Sequence, residues 1–212
     1  MLIRCAMEKI AVVGISCLFP DAETPEAFWR NLLAGKDSRS PATDEKMGVP
    51  VRTHYDPRKG KADRFYCMKG GYVLGFEMDP SGFEIPEARI RGLDDAVQWP
   101  LHTAREALKE SGYWGNPAAL AGCGVILGNL SFPTKSSNRL FLPIHHRTVE
   151  SCLKDLLQDE SFGLVPFSSP EDEASENGRI SGHPAAVIAE ALSLSGPFFS
   201  LDAACASSLY AV

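Results

Sequence analysis

The chain has 212 residues, 44% hydrophobic and 23% charged, ordinary proportions for a globular protein and room for one large domain or two small ones. Its 21 basic and 27 acidic side chains leave a net charge of −6, which argues against a general nucleic-acid binder, whose face must be basic enough to displace counterions from phosphates. No apolar run approaches the ~18 residues of a membrane-spanning helix, so no membrane span is expected.

Arg4 and Lys9 precede IAVVGISCLF, residues 10–19, a pattern with the outline of a secretion signal or a lipoprotein box ending at Cys17. No small-x-small cleavage site follows, and Pro20-Asp21 reads as a turn, so the β-rich run 10–15 is taken as a buried first strand. Met7 is an alternative start to Met1 that would put this strand at the very beginning. A helix follows, with Thr24 as N-cap, Pro25 at the first helical position and Gly35 at its stop. Phe28, Trp29, Leu32 and Leu33 form its apolar stripe. Residues 36–71 are a polar excursion that carries Arg52, His54, Arg58, Lys59, Lys61, Arg64 and Lys69. It reads either as a solvated flap or as a docking surface for an acidic partner.

Residues 93–111 predict a helix stopped by Gly112, with Val97, Leu101, Ala104 and Leu108 on one face. Pro100 lies inside that pattern and either kinks the helix or marks its true first turn. GVILGNL, residues 124–130, predicts a second buried strand, and residues 149–157 an amphipathic helix. Residues 158–178, with Asp159, Glu160, Glu171, Asp172, Glu173 and Glu176, read as an acidic surface loop. Residues 184–194 predict a small-residue helix ended by Gly196-Pro197, and residues 198–204 a third strand running into a terminal helix. Strands alternating with helices indicate an α/β fold with buried strands. CASSLYAV reads as the first two turns of a helix with no cap before Val212, so residues 1–212 are expected to form one domain cut just after this point.

The six cysteines, Cys5, Cys17, Cys67, Cys123, Cys152 and Cys205, are widely spaced and contain no CxxC pair. Reduced thiols in a cytoplasmic protein are expected rather than a disulfide framework. His145, His146 and Glu150 invite a metal reading, since His146 and Glu150 stand at helical i,i+4 spacing. They lack a firm third ligand, and an exposed helix start is the simpler reading, so no metal site is expected. Gly14-Ile15-Ser16 after a strand lacks the GxGxxG pattern of a nucleotide loop and is read as a strand-ending turn.

The densest chemical signal is FFSLDAACASSLYAV, residues 198–212. An apolar strand ends at Leu201, a helix is expected near Cys205, and Ala203, Ala204, Ala206, Ser207 and Ser208 between and around them are all small. Small neighbours permit a tight strand-to-helix turn and close approach of a substrate, the logic of a nucleophile elbow with sulfur in place of oxygen. A thiol of pKa ~8.5 is only about 3% thiolate at pH 7, and a helix N-terminus would raise that fraction. Backbone N–H groups at the same turn would stabilise an oxyanion. The pattern by itself leaves open that Cys205 is a small core residue.

LDAACASSL resembles the nucleophile motif of β-ketoacyl synthases, usually DTACSSSL, with Asp202, Cys205, Ser207, Ser208 and Leu209 matching and Ala203 and Ala206 replacing one small residue by another. The opening segment resembles the family's first block at Gly14, Phe19-Pro20, Phe28-Trp29, Leu32 and Gly35. GGYVLGFEMDPSGFEIPEARIRGLD, EALKESG, CGVILGN and LSGPFFSLDAAC follow in the family's order. Gln98-Trp99-Pro100 and NLSFPT depart from the usual pattern and are similar to the iterative synthases of polyunsaturated fatty acids.

The resemblance implies the N-terminal half of a thiolase-like, layered αβαβα fold, and a decarboxylative condensation through an acyl-cysteine at Cys205. Asp202, Ala204, Ala206, Ser207 and Ser208 are carried as supporting motif residues, with Asp202 holding the turn. It also implies no bound cofactor, substrates on the phosphopantetheine of an acyl carrier protein (the acidic partner the basic excursion would suit), and a homodimer. The family uses two histidines and a lysine in its second half. His54, His102, His145, His146 and His183 match none of those motifs, so this chain is expected to accept an acyl group without condensing it. The alternatives are a cysteine hydrolase of thioesters, which needs a histidine and an Asn or Asp convergent on Cys205, and a non-catalytic remnant or dimerisation module.

Overall fold

The computed structural model describes residues 9–130, 133–165, 173–179 and 181–212. Met1, Arg4, Cys5, Met7, Glu171 and Asp172 lie outside the described residues. Helix α1 (Pro25–Leu33) begins where its cap dictates: the Thr24 hydroxyl accepts the Ala27 N–H at 3.2 Å and Pro25 supplies the first helical φ. Its apolar stripe is present but unburied. Trp29 and Leu33 are largely exposed, and Phe28 packs on Phe19 with ring centroids 4.7 Å apart.

A short ladder, β1 (Ser40–Pro41) antiparallel to β2 (Lys69–Gly70), brackets two one-turn helices, α2 (Asp44–Met47) and α3 (Val51–His54). Helix α4 (Glu87–Gly92) leads into α5 (Asp95–Glu110), which is capped by Asp94 and runs through Pro100. The proline lies in the second turn, so it is not the first helical residue. Val97 and Leu101 of α5 are buried against Met78, Ile85, Ile90 and Val187, with Ala104, Leu108, Phe83 and Trp114 at the edge of this core. The core therefore sits between α5 and α8 (His183–Ala191), whose Val187, Ile188 and Ala191 are nearly inaccessible. Each fully buried aliphatic side chain stabilises such a core by roughly 1.5–3 kcal/mol.

After the short α6 (Pro117–Leu120) come β3 (Val125–Gly128) and, beyond α7 (Lys135–Leu157), β4 (Phe198–Leu201). The two strands pair in parallel, Val125 opposite Phe198 and Gly128 opposite Leu201. This βαβ order with helices packed on the strands is the α/β arrangement expected. Both strands are half-buried, since Ile126, Phe198 and Phe199 reach solvent. The chain ends in a 3₁₀ turn (Ala204–Ala206) and α9 (Ser207–Tyr210).

Three further expectations are corrected. Residues 10–15 form no strand and are largely exposed: the Ile15 N–H donates to the Glu110 carboxylate, and the Ser16 hydroxyl to the Thr103 carbonyl at 2.6 Å, so side chain and carbonyl of α5 hold this segment in place of a ladder. Helix α7 starts fourteen residues before the amphipathic stretch 149–157, because Thr134 and Ser137 form a reciprocal capping box. The described part of the acidic segment is not all surface. Asn177 is buried and joins the Asp94 N–H and the Gly92 carbonyl, each at 2.9 Å, while the Glu173 side chain is covered beside it. Glu176 is held between Arg89 at 3.0 Å and His183 at 3.1 Å.

Candidate active site

The parallel pair β3–β4 delivers two chain segments side by side, and the ladder extends one step further, the Asn129 N–H donating to Leu201 O at 3.0 Å. Beyond Leu201 the chain reverses within five residues. Asp202 Oδ1 accepts the Ala204 N–H at 3.1 Å. The Ser207 hydroxyl accepts the Ala203 N–H at 3.0 Å and donates to the Ala204 carbonyl at 2.8 Å. Ser207 is buried, and the Ala206 N–H closes the turn on Ala203 O at 3.1 Å. Ala204 has φ +50°, in the left-handed region that costs a non-glycine residue roughly 1–2 kcal/mol. Cys205 follows this residue and is exposed at the apex.

The support beneath the turn is Gly128, which the sequence marks only as a strand residue. A Cβ at this position would lie 2.6 Å from the Ser207 carbonyl carbon and oxygen and 2.7 Å from the Ser208 nitrogen. Only a residue without a side chain lets α9 descend onto the end of β3. The one signal in the sequence is a glycine closing a β-rich run, where strands disfavour glycine unless another backbone approaches.

The structure thus brings Asp202, Ala204, Cys205, Ala206 and Ser207 into one turn, with Ser208 exposed at its far side. One expectation changes. Cys205 does not open an α-helix: it occupies a 3₁₀ turn, and α9 begins two residues later with a single turn. The left-handed Ala204 and the Ser207 hydroxyl bond shape the approach, so the helix-dipole argument for the thiol loses its premise here.

The histidines are placed on other elements. His102 lies on α5 edge-on to Phe76, with centroids 4.7 Å apart, and burial lowers its pKa. His146 and Glu150 stand in mid-helix rather than at a helix start, His146 Nε2 being 2.7 Å from the Val165 carbonyl and Glu150 accepting the Leu164 N–H at 3.0 Å. Both pin the returning chain to α7. Among the described residues no group of three or more His, Cys, Asp or Glu side chains gathers as a metal site, and no helix is long and apolar enough to cross a membrane. The five described cysteines are unpaired.

A cleft of about 1050 Å³ lies between residues 13–16, α5, β3 and α8, lined by Ala104, Leu108, Val125, Leu127 and Ile188 among others. Cys205 is not among its lining residues, so its size does not make it the reaction site. It marks where apolar faces of β3 and α8 stand apart from the segment 10–15.

Residues 7–212 match the family model for the β-ketoacyl synthase N-terminal domain. The chain belongs to the β-ketoacyl synthase family. Its backbone superposes on the PfaC keto synthase–chain length factor with a TM-score of 0.84 and 48% identity, covering 94% of this chain and 21% of that one. The ketosynthase from module 6 of the bacillaene synthase of Bacillus subtilis shares the fold at a TM-score of 0.58 and 20% identity, covering 95% of this chain and 27% of that one. The fold is therefore thiolase-like. Among curated relatives, the PKS-NRPS hybrid synthetase acdB of Aspergillus candidus is 29% identical, and one of the polyunsaturated fatty acid synthase polypeptides of Thraustochytrium 26%, each over 96% of this chain. The chain spans only 7% of the length of either.

Proposed function

We propose that this chain supplies the nucleophile half of a condensing enzyme in fatty acid or polyketide assembly, and that Cys205 is the acyl-accepting thiol. The observation that carries the reading is an exposed cysteine at the apex of a turn held by Asp202 and Ser207, at the C-terminal end of a parallel strand. Family membership supports it.

In the first half-reaction the Cys205 sulfur attacks the carbonyl carbon of an acyl thioester. The carbon–sulfur bond to the phosphopantetheine arm breaks, and the departing thiolate takes up the proton that Cys205 gives up. The Cys205 N–H is assigned to the oxyanion of the tetrahedral intermediate. In the second, malonyl-carrier loses CO2, its carbanion attacks the acyl-cysteine, a 3-oxoacyl carrier two carbons longer leaves, and the released Cys205 thiolate takes up a proton from solvent. The histidine pair and lysine that the family resemblance assigns to decarboxylation have no counterpart motif in residues 1–212. The chain by itself therefore accepts an acyl group without condensing it.

The partners follow from the same reading: a carrier domain bearing the thioester, and a second copy of the chain. The outer edge of β4 is unpaired among the described strands, with Phe198 and Phe199 half exposed beside it, which favours edge-to-edge pairing. The match to the Thraustochytrium polyunsaturated fatty acid synthase supports, within this reading, a synthase of polyunsaturated acyl chains.

Intact-mass analysis after incubation with an acyl-pantetheine thioester tests this. One acyl group is expected on the chain and none on Cys205→Ala. Acylation that survives in the alanine variant would remove Cys205 from its role. Steady release of free acid would favour a thioester hydrolase, and 3-oxoacyl product on adding malonyl-carrier would overturn the claim that the chain alone does not condense.

A further inference from the structure

Of the five asparagines in the chain, only Asn177 is followed by glycine. Glycine leaves its own nitrogen unshielded by a side chain and its backbone free to bend. An Asn-Gly pair is therefore the sequence in which that nitrogen most readily reaches the asparagine side-chain carbonyl. Here the pair lies inside a clasp. Ser175–Gly178 form a 3₁₀ turn, the Asn177 N–H donating to Ala174 O and the Arg179 N–H to Glu176 O, each at 2.9 Å.

Asn177 is only 5% exposed, and its carboxamide makes three bonds. Oδ1 accepts the Asp94 N–H at 2.9 Å, and Nδ2 donates to Gly92 O at 2.9 Å and to Glu173 Oε1 at 2.6 Å. Asp94 in turn accepts the Ala96 N–H at 2.9 Å at the start of α5 and the Ser136 N–H at 3.2 Å at the start of α7. On either side of Asn177, Glu173 pairs with Arg139 of α7 at 3.3 Å, and Glu176 with Arg89 of α4 and His183 of α8. One carboxamide thus sits at the junction of four helices.

We propose that Asn177-Gly178 is a deamidation site held shut by this clasp, and that its conversion releases the clasp irreversibly. The Gly178 nitrogen attacks the Asn177 side-chain carbonyl carbon, the carbon–nitrogen bond of the carboxamide breaks, and ammonia leaves with the proton that Gly178 gives up. Water then opens the cyclic imide at one of its two carbonyls, returning a proton to the Gly178 nitrogen and leaving aspartate or isoaspartate. A carboxamide bonded at both ends does not swing toward the Gly178 nitrogen, so the reaction waits for local opening of the turn. Either product lacks the Nδ2 donor. Its carboxylate faces the Gly92 carbonyl and the Glu173 carboxylate, which repel it, and only the bond from the Asp94 N–H survives. Isoaspartate also lengthens the backbone by one methylene and breaks the 3₁₀ turn.

The test ages the full chain near neutral pH and maps aspartate and isoaspartate by peptide mass spectrometry, beside a free peptide of residues 173–181. Gly178→Ala isolates the chemistry: a Cβ there meets only the Phe141 and Leu140 side chains, the nearest atom at 3.4 Å, so the fold accepts it while the attacking nitrogen is hindered. Arg89→Ala loosens the clasp without altering the residues beside Asn177. Product is expected at Asn177 and not at the other four asparagines. It should form about tenfold or more slowly in the chain than in the peptide. Gly178→Ala should slow it about tenfold or more again. Arg89→Ala should quicken it about tenfold, since one charge-assisted tie is lost. Trypsin cleavage after Arg179 should accelerate in step with conversion, and Asn177→Asp should show the fast cleavage from the start. A chain that stays unconverted while the peptide reacts to completion would overturn the site. Equal rates in chain, Arg89→Ala and peptide would overturn protection by the clasp. Equal cleavage of aged and fresh chain would overturn its release, and this comparison decides the point even where Asn177→Asp does not fold.

Discussion

The Ser207 hydroxyl donates to the carbonyl of Ala204 at 2.8 Å while accepting the Ala203 N–H at 3.0 Å, so one buried side chain reaches across Cys205 to the two residues before it. Replacing it by alanine removes the partner of the Ala203 N–H, while the Ala204 carbonyl keeps the Ser207 N–H. Ser207→Ala is expected to cost about 0.5–1.5 kcal/mol of stability and to slow acylation of Cys205. Thermal unfolding and thioester labelling check both. Unchanged labelling would mean that the turn does not depend on this hydroxyl.

Ala204 holds φ +50° without the freedom of glycine. Ala204→Gly is expected to raise stability by about 0.4–1 kcal/mol, because the strain disappears, and to slow acylation because the turn then samples other conformations. Ala204→Val should lower stability. A glycine variant that is both less stable and faster would contradict the strain assigned to this residue.

Gly128 meets Ser207 backbone to backbone. Backbone cannot swing aside as a side-chain tip can, so Gly128→Ala is expected to destabilise by about 1–3 kcal/mol and to displace the turn that carries Cys205. Comparison with Ile126→Ala, on the same strand but half exposed, separates the two effects: Ile126→Ala should leave the labelling rate near that of the parent.

His102 packs against Phe76, and burial lowers its pKa below the ordinary 6.5. As pH falls below about 6.5 the unfolded chain takes up this proton before the folded one, so stability is full above that pH and declines beneath it until the folded-state pKa is reached. Urea midpoints at pH 7.5, 6.5 and 5.5 should fall in that order. His102→Gln should flatten the slope, and an equal slope in both proteins would show that other groups carry it.

The cysteine motif is legible because its information is local: small residues at fixed spacing around Cys205, with Asp202 and Ser207 close enough in sequence to bond the same turn. Thr24, Pro25 and the α5 stripe are legible for the same reason, since caps and the 3.6-residue period act over one or two turns. The segment 10–15 misleads because β-rich composition becomes a strand only where a partner supplies a ladder, and here the Ile15 N–H goes to the Glu110 side chain of α5 instead. The start of α7 is hidden because the apolar pattern begins later than the capping box that nucleates the helix.

The amino-acid sequence by itself determined the family, the α/β alternation and which thiol to propose as the nucleophile, since each is written in contiguous residues. Only the tertiary structure decided what surrounds that thiol. Asp56 gathering Arg58 and Lys61 into a scaffolded basic lobe depends on a chain reversal that composition does not reveal. Gly128 lying beneath Ser207 joins residues 79 positions apart, and van der Waals contact between two backbones has no signature in either stretch read alone.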